Sequence, residues 1–242
     1  MFFSLSMGRF YGIDSLIEFL IIIVAAIVSL YSHKIYKIVK DQNYRFFSIA
    51  FFLIAISFVF KILSNFTILN RVKIQGINFV YTVLSQPSYM PLVDFIIFTL
   101  YKVFYLLGFL MLFLIITKTD KKDKIFLYVY LSIIAILFSI YFNFIFHITL
   151  ILILLFLTIH FYQNHKTHKT TNSMLVFIAF LIMFIAHLSF VFSDMHSFFY
   201  MTGEGLLLIA FLSLLINQIN LRKSSKKKLI PLRSSKLKSF KK

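Results

Sequence analysis

The chain has 242 residues, 60% of them hydrophobic and 14% charged, with a mean hydropathy of +0.92. A soluble domain holds about 45–50% apolar residues, and the excess here is spread over many runs, which excludes a soluble domain carried on one anchor. The 25 Lys and Arg against 8 Asp and Glu give a net charge of +17, and the lack of cysteine excludes disulfides, thiolate zinc sites and a cysteine nucleophile.

Residues 1–12 lack the basic segment and small-residue cleavage site of a signal peptide. The first apolar run opens with Asp14 and Glu18, which a cleaved leader would not carry. The hydrophobic runs predict an all-α fold of seven transmembrane helices, at about 13–35, 46–63, 92–117, 125–142, 144–162, 173–192 and 200–220. The stretch from Ile125 to Tyr162 is too long for one crossing and is divided near Asn143. Between the second and third spans, residues 64–91 contain Pro87 and Pro91, which argue against a continuous helix; the segment around Gln75-Gly76 reads as a hairpin or interfacial piece. Residues 222–242 are rich in Lys and Ser and read as a disordered basic tail behind a single domain, 1–221.

Placement of the positive charge explains its sign. Four Lys and Arg follow the first span, four the third and two the fifth, and ten lie in the tail, out of 25 in all. Excess Lys and Arg mark the cytoplasmic side. The N-terminus is therefore expected outside and the C-terminus inside, in a multi-pass protein of the cell membrane. The basic residues serve orientation, so no nucleic-acid partner is expected. Lys226, Lys227 and Lys228 are candidates for anionic lipid headgroups, where each charge contributes about 1 kcal/mol.

An internal repeat is visible. Ile49-Ala50-Phe51-Phe52-Leu53-Ile54, closing on Ser57-Phe58-Val59-Phe60, is similar to Ile178-Ala179-Phe180-Leu181-Ile182, closing on Ser189-Phe190-Val191-Phe192. Leu106 to Lys118 is similar to Leu208 to Asn220. Spans two and three then match spans six and seven, with span four as a linker in a 3+1+3 arrangement.

Ionisable groups inside hydrocarbon are costly, so each is a functional candidate. Glu18, Lys102 and His187 are the hardest to place at an interface. Lys102 lies about 12 Å below Asp94 at 1.5 Å per residue. These residues, with Tyr101 and Tyr105 as lining, predict a ligand pocket in the outer half, with Lys102 as its cation and Glu18 or Asp94 as counter-ion. Asp14, Lys61, Asp94, Asp194 and Glu204 taken singly also fit side chains that snorkel to headgroups. His147 and His187 sit at similar depth, yet no tightly spaced ligand motif accompanies them, and neither metal nor cofactor is expected. No hydrolase, zinc-protease or phosphate-loop motif occurs, and span seven contains no lysine, so no enzyme is expected.

Ser32-His33-Lys34-Ile35-Tyr36-Lys37, Lys40-Asp41 and Tyr44 to Phe51, followed later by Ala186-His187-Leu188-Ser189, Tyr200 and Gly203, resemble small seven-helix membrane proteins of prokaryotes, archaea above all. Some of these resemble the membrane sensing parts of signalling proteins. The outward clustering of ionisable groups over a nearly apolar inner half predicts a non-enzymatic sensor or receptor-like module that binds a small ligand in the outer half and signals through a partner protein. The alternative is a small-solute transporter of 3+1+3 form, which requires polar residues along the inner half as well.

Overall fold

In the computed structural model the backbone is described for residues 11–77, 92–117, 122–139, 142–193 and 195–239. Side chains are described for 13–65, 95–117, 125–139, 142–193 and 195–221. Among these residues the fold is all-α, with seven helices: α1 (Tyr11–Val39), α2 (Gln42–Ile77), α3 (Leu92–Thr117), α4 (Lys122–Ser139), α5 (Asn143–His168), α6 (Thr171–Val191) and α7 (Ser197–Ser239).

Six of the seven are long and apolar enough to cross a membrane: Ile13–Val39, Gln42–Asn65, Phe95–Thr117, Asn143–His168, Thr171–Val191 and Ser197–Leu221. The protein is a multi-pass membrane protein. The apolar part of α4, Ile125–Ser139, is shorter. At 1.5 Å per residue it rises about 22 Å, against about 30 Å of hydrocarbon.

The boundary near Asn143 is where α5 begins. Two other boundaries differ from expectation. Residues 64–77 continue α2 instead of forming a loop or hairpin; Gly76 falls in its last turn, where a glycine interrupts little. Residues 222–239 are helical as a continuation of α7 past Arg222, with Pro231 inside the helix; lysine is a good helix former, whereas the proline removes one backbone donor.

The helices pack α1–α2, α2–α3, α3–α5, α5–α6, α6–α7 and α7–α1. This closes a ring of the six long helices. Helix α4 lies outside it, against α3 and α5. Large apolar side chains such as Leu16, Leu30, Phe126, Phe138 and Phe156 face outward, as a lipid-solvated surface requires.

Each ring helix turns one stripe inward. On α1 the buried positions include Asp14, Glu18, Ile21, Ala25, Val28 and Ser32; on α7 they include Glu204, Leu207, Phe211, Leu214 and Gln218. Spacings of three and four keep such positions on one face of a helix. Acidic residues thus occupy the inward register at one end of both stripes.

Small residues bring the helices close. A Cβ on Gly108 would lie 2.6 Å from Ile54 Cγ1 and 3.0 Å from the Ala50 carbonyl oxygen. Only glycine lets α3 approach α2 this closely. On the other flank of α2, Ser29 Oγ donates to the Ser48 carbonyl at 2.8 Å, and Ser48 Oγ donates to the Ser29 carbonyl at 2.9 Å. These reciprocal bonds join α1 to α2 where lipid offers no competing donor.

Candidate functional site

The ionisable side chains of α1, α2 and α7 converge inside the ring. Glu18 is on α1, Lys61 on α2 and Glu204 on α7. Lys61 Nζ lies 3.1 Å from Glu18 Oε1 and also bonds Glu204 Oε1. The two carboxylates are fully buried, and the Lys61 side chain is 12% exposed. Asn65, one turn further along α2, donates from Nδ2 to both Glu18 oxygens, at 3.1 and 2.9 Å.

Four aromatic rings surround the same ammonium. Lys61 Nζ is 5.6 Å from the ring centroid of Phe58, 5.7 Å from Tyr200, and 5.8 Å from Tyr101 and Phe190. An ammonium over aromatic faces gains about 0.5–2 kcal/mol per ring, more when desolvated. The walls come from α2, α3, α6 and α7, so the seat needs most of the ring to be assembled. Gly203 matters here: a Cβ on it would lie 2.6–2.9 Å from three carbons of the Phe190 ring. The absent side chain lets Phe190 press against α7 beside Glu204.

The seat holds more negative than positive charge. Asp14 is buried one turn from Glu18 and lies within electrostatic reach of both Glu204 and Lys61. Two carboxylates pair with one ammonium, and a third lies within electrostatic reach of it. Asp14 Oδ1, Ser15 Oγ and Glu204 Oε2 are buried without a hydrogen-bond partner among the described residues. Each can accept a further N–H or O–H donor.

Beyond the seat lies a polar chain through the aromatic core. The Tyr105 hydroxyl is 3.0 Å from His187 Nε2, and His187 Nδ1 is 3.2 Å from His147 Nδ1. The geometry suits Tyr105 donating to His187 Nε2 and His187 Nδ1–H donating to His147, with both imidazoles neutral. Phe146 and Phe190 pack against these rings.

Lys102 stands apart. Its Nζ donates to the Ser139 carbonyl at 2.7 Å and lies 4.4 Å from the Phe98 ring centroid. Ser139 lies in α4, so the lysine ties α3 to α4 about 22 Å from Thr117, counting residues along α3. A lysine ammonium donating to a buried backbone carbonyl makes a charge-assisted bond between the two helices.

The candidates predicted from sequence are therefore distributed over three places. Glu18 and Tyr101 belong to the ammonium seat. Tyr105 and His187 form the adjoining chain. Lys102 is buried, and among the described residues its acceptor is the Ser139 carbonyl of α4. The side chains of Asp94, Asp194, Lys226, Lys227 and Lys228 lie outside the described residues. The sequence reading undervalued Lys61 and Glu204, each of which sits near the end of an apolar run. The signal that marks them is register: Glu18 lies three residues before buried Ile21, Glu204 three before buried Leu207, and Lys61 three after buried Phe58. No group of three or more His, Asp or Glu side chains among the described residues is arranged to hold a metal ion.

Together, fold and site define a multi-pass integral membrane protein with an occluded ionic cluster inside a helix ring. Comparison with protein-family models, curated proteins and solved structures gives no match. The resemblance to small prokaryotic seven-helix proteins therefore gains no family assignment, and function rests on the site alone.

Proposed function

We propose that this protein is a non-enzymatic, receptor-like membrane module that binds a small organic ammonium ion in the seat now filled by its own Lys61. The observation that carries this reading is the seat itself. Four aromatic rings and two carboxylates enclose one ammonium, and Glu204 Oε2 is buried there without a hydrogen-bond partner among the described residues. An external ammonium that displaces Lys61 would meet the same rings and oxygens. It would release α2 from α1 and α7, a differential contact of the kind that shifts a conformational equilibrium. In this reading the N-terminus and the seat face outward and the C-terminus faces the cytosol of the cell. The basic end of α7, Lys226 to Lys228 included, faces anionic headgroups, and a partner protein receives the signal.

Purified protein in nanodiscs tests this. Butylammonium at millimolar concentration is expected to raise the thermal midpoint saturably, whereas acetate is not, and Glu204→Gln is expected to abolish the response. A midpoint that does not respond to any alkylammonium would overturn the reading.

A carrier of 3+1+3 form is the second reading. Phe58 and Phe190, which correspond in the internal repeat, face the same ammonium from α2 and α6, and α4 lies outside the ring. Buried Ser29, Ser32, Ser48, Thr158, Asn217 and Gln218 add polar groups toward the opposite end. Accumulation of labelled alkylammonium in proteoliposomes would favour the carrier; saturable binding without uptake favours the receptor.

A further inference from the structure

The other end of the ring carries a different site. A cavity of about 400 Å³ opens where α5, α6 and α7 meet, its rim including His168, Thr170, Asn172 and Ser173 and its wall Asn217. We propose that it binds a phosphate group, and that the phosphate belongs to an anionic phospholipid headgroup. This inference is independent of the ammonium seat.

Three observations support it. First, the N-terminus of the 21-residue helix α6 lines the cavity. Thr170 caps it by accepting from Ser173 N at 3.2 Å, and Ser173 Oγ in turn donates to the Thr170 carbonyl at 2.8 Å. That cap satisfies one of the first N–H groups. Those of Thr171 and Asn172 have no acceptor within their own helix, and such groups with the helix dipole favour a phosphate. Second, Asn217 lines the cavity, is 5% exposed, and its Oδ1 has no hydrogen-bond partner among the described residues. Its carboxamide meets a headgroup hydroxyl through the oxygen or, turned over, a phosphate oxygen through the nitrogen. Third, the surroundings suit a lipid. Phe161, Val176 and Leu221 supply apolar wall, while the exposed Lys166 and Lys169 supply positive charge at the end of α5. An apolar wall with lysines near the mouth suits a phospholipid headgroup.

The test uses the full chain in detergent, followed by thermal unfolding. Phosphatidylglycerol, phosphatidylcholine and inorganic phosphate are titrated separately into wild type, Asn217→Leu and Asn172→Asp. All three proteins keep the basic end of α7, so general attraction to anionic lipid is common to them. Asn172→Asp places a carboxylate where α6 tolerates it well but a phosphate does not. Wild type is expected to be stabilised by phosphatidylglycerol at a lower concentration than by phosphatidylcholine. Both variants are expected to need about tenfold more phosphatidylglycerol for half the effect, the equivalent of one lost charge-assisted contact. Stabilisation by inorganic phosphate as well would identify a free phosphate as sufficient, and stabilisation by the lipid alone would show that the acyl chains are required. Identical titrations for wild type and both variants would overturn the site.

Discussion

Lys61→Met removes the one ammonium from a site that retains Asp14, Glu18 and Glu204. Methionine preserves most of the side-chain volume, so packing against Phe58, Tyr101, Phe190 and Tyr200 changes little. What changes is charge: Glu18 keeps Asn65 as a donor, whereas Glu204 loses its ion-pair partner. Removing one partner of a buried ion pair costs about 3–5 kcal/mol. A chain of this length shifts its unfolding midpoint by about 2–4 °C per kcal/mol, so the variant should melt about 6–20 °C below wild type in nanodiscs. Neutralising both carboxylates should recover most of that loss, because replacing a whole buried ionic group by uncharged residues of similar volume is often neutral. The triple variant Glu18→Gln/Lys61→Met/Glu204→Gln is therefore expected to melt well above Lys61→Met alone. Circular dichroism at 222 nm during heating follows both. A single variant within about 2 °C of wild type, or a triple variant that melts lower still, would refute the view that charge pairing holds α2 to α1 and α7.

Gly108→Ala should cost about 1–3 kcal/mol by forcing α3 off α2, and should cost less on an Ile54→Ala background, where the nearest clashing carbon is gone; equal losses on both backgrounds would contradict the contact. The double variant Ser29→Ala/Ser48→Ala should lose about 0.5–2 kcal/mol, the range for hydrogen bonds between membrane helices, measured as a modest fall in midpoint without change of helical content. Lys102→Met should leave the ammonium seat intact but remove the donor to the Ser139 carbonyl, raising hydrogen exchange across residues 134–139 by about tenfold; unchanged exchange there would show that this part of α4 does not depend on Lys102.

Hydropathy made the membrane class and most of the helices legible, because about 20 apolar residues in a row have few other uses. The break at Asn143 was legible from length alone. The site was harder to read because its members are far apart in the chain: Lys61 and Glu204 are separated by 143 residues. Local periodicity reports which face of a helix is buried, and in helices apolar on every side even that signal is weak. Lys61 therefore reads as a lysine near the end of a span, free to reach headgroups, until α1 and α7 place carboxylates beside it. His147 and His187 were legible as partners because α5 and α6 are adjacent antiparallel helices, which fixes depth by counting. The acceptor of Lys102 was not, because a backbone carbonyl on a neighbouring helix leaves no trace in composition. The two extended helix ends were missed for a related reason: composition that leaves a hydrophobic span is still compatible with helix, and Gly76 or a lysine run alone does not end one.

Lys61→Ala in nanodiscs, titrated with propylammonium, addresses the ammonium seat most directly, since the amine restores the atoms that the substitution removes. The variant should regain thermal stability saturably, approaching wild type, while propionate and propanol leave it unchanged and Lys61→Ala/Glu204→Gln shows no response to the amine. Equal effects of amine, acid and alcohol, or no recovery by the amine at any concentration, would contradict the seat and the ligand class assigned to it.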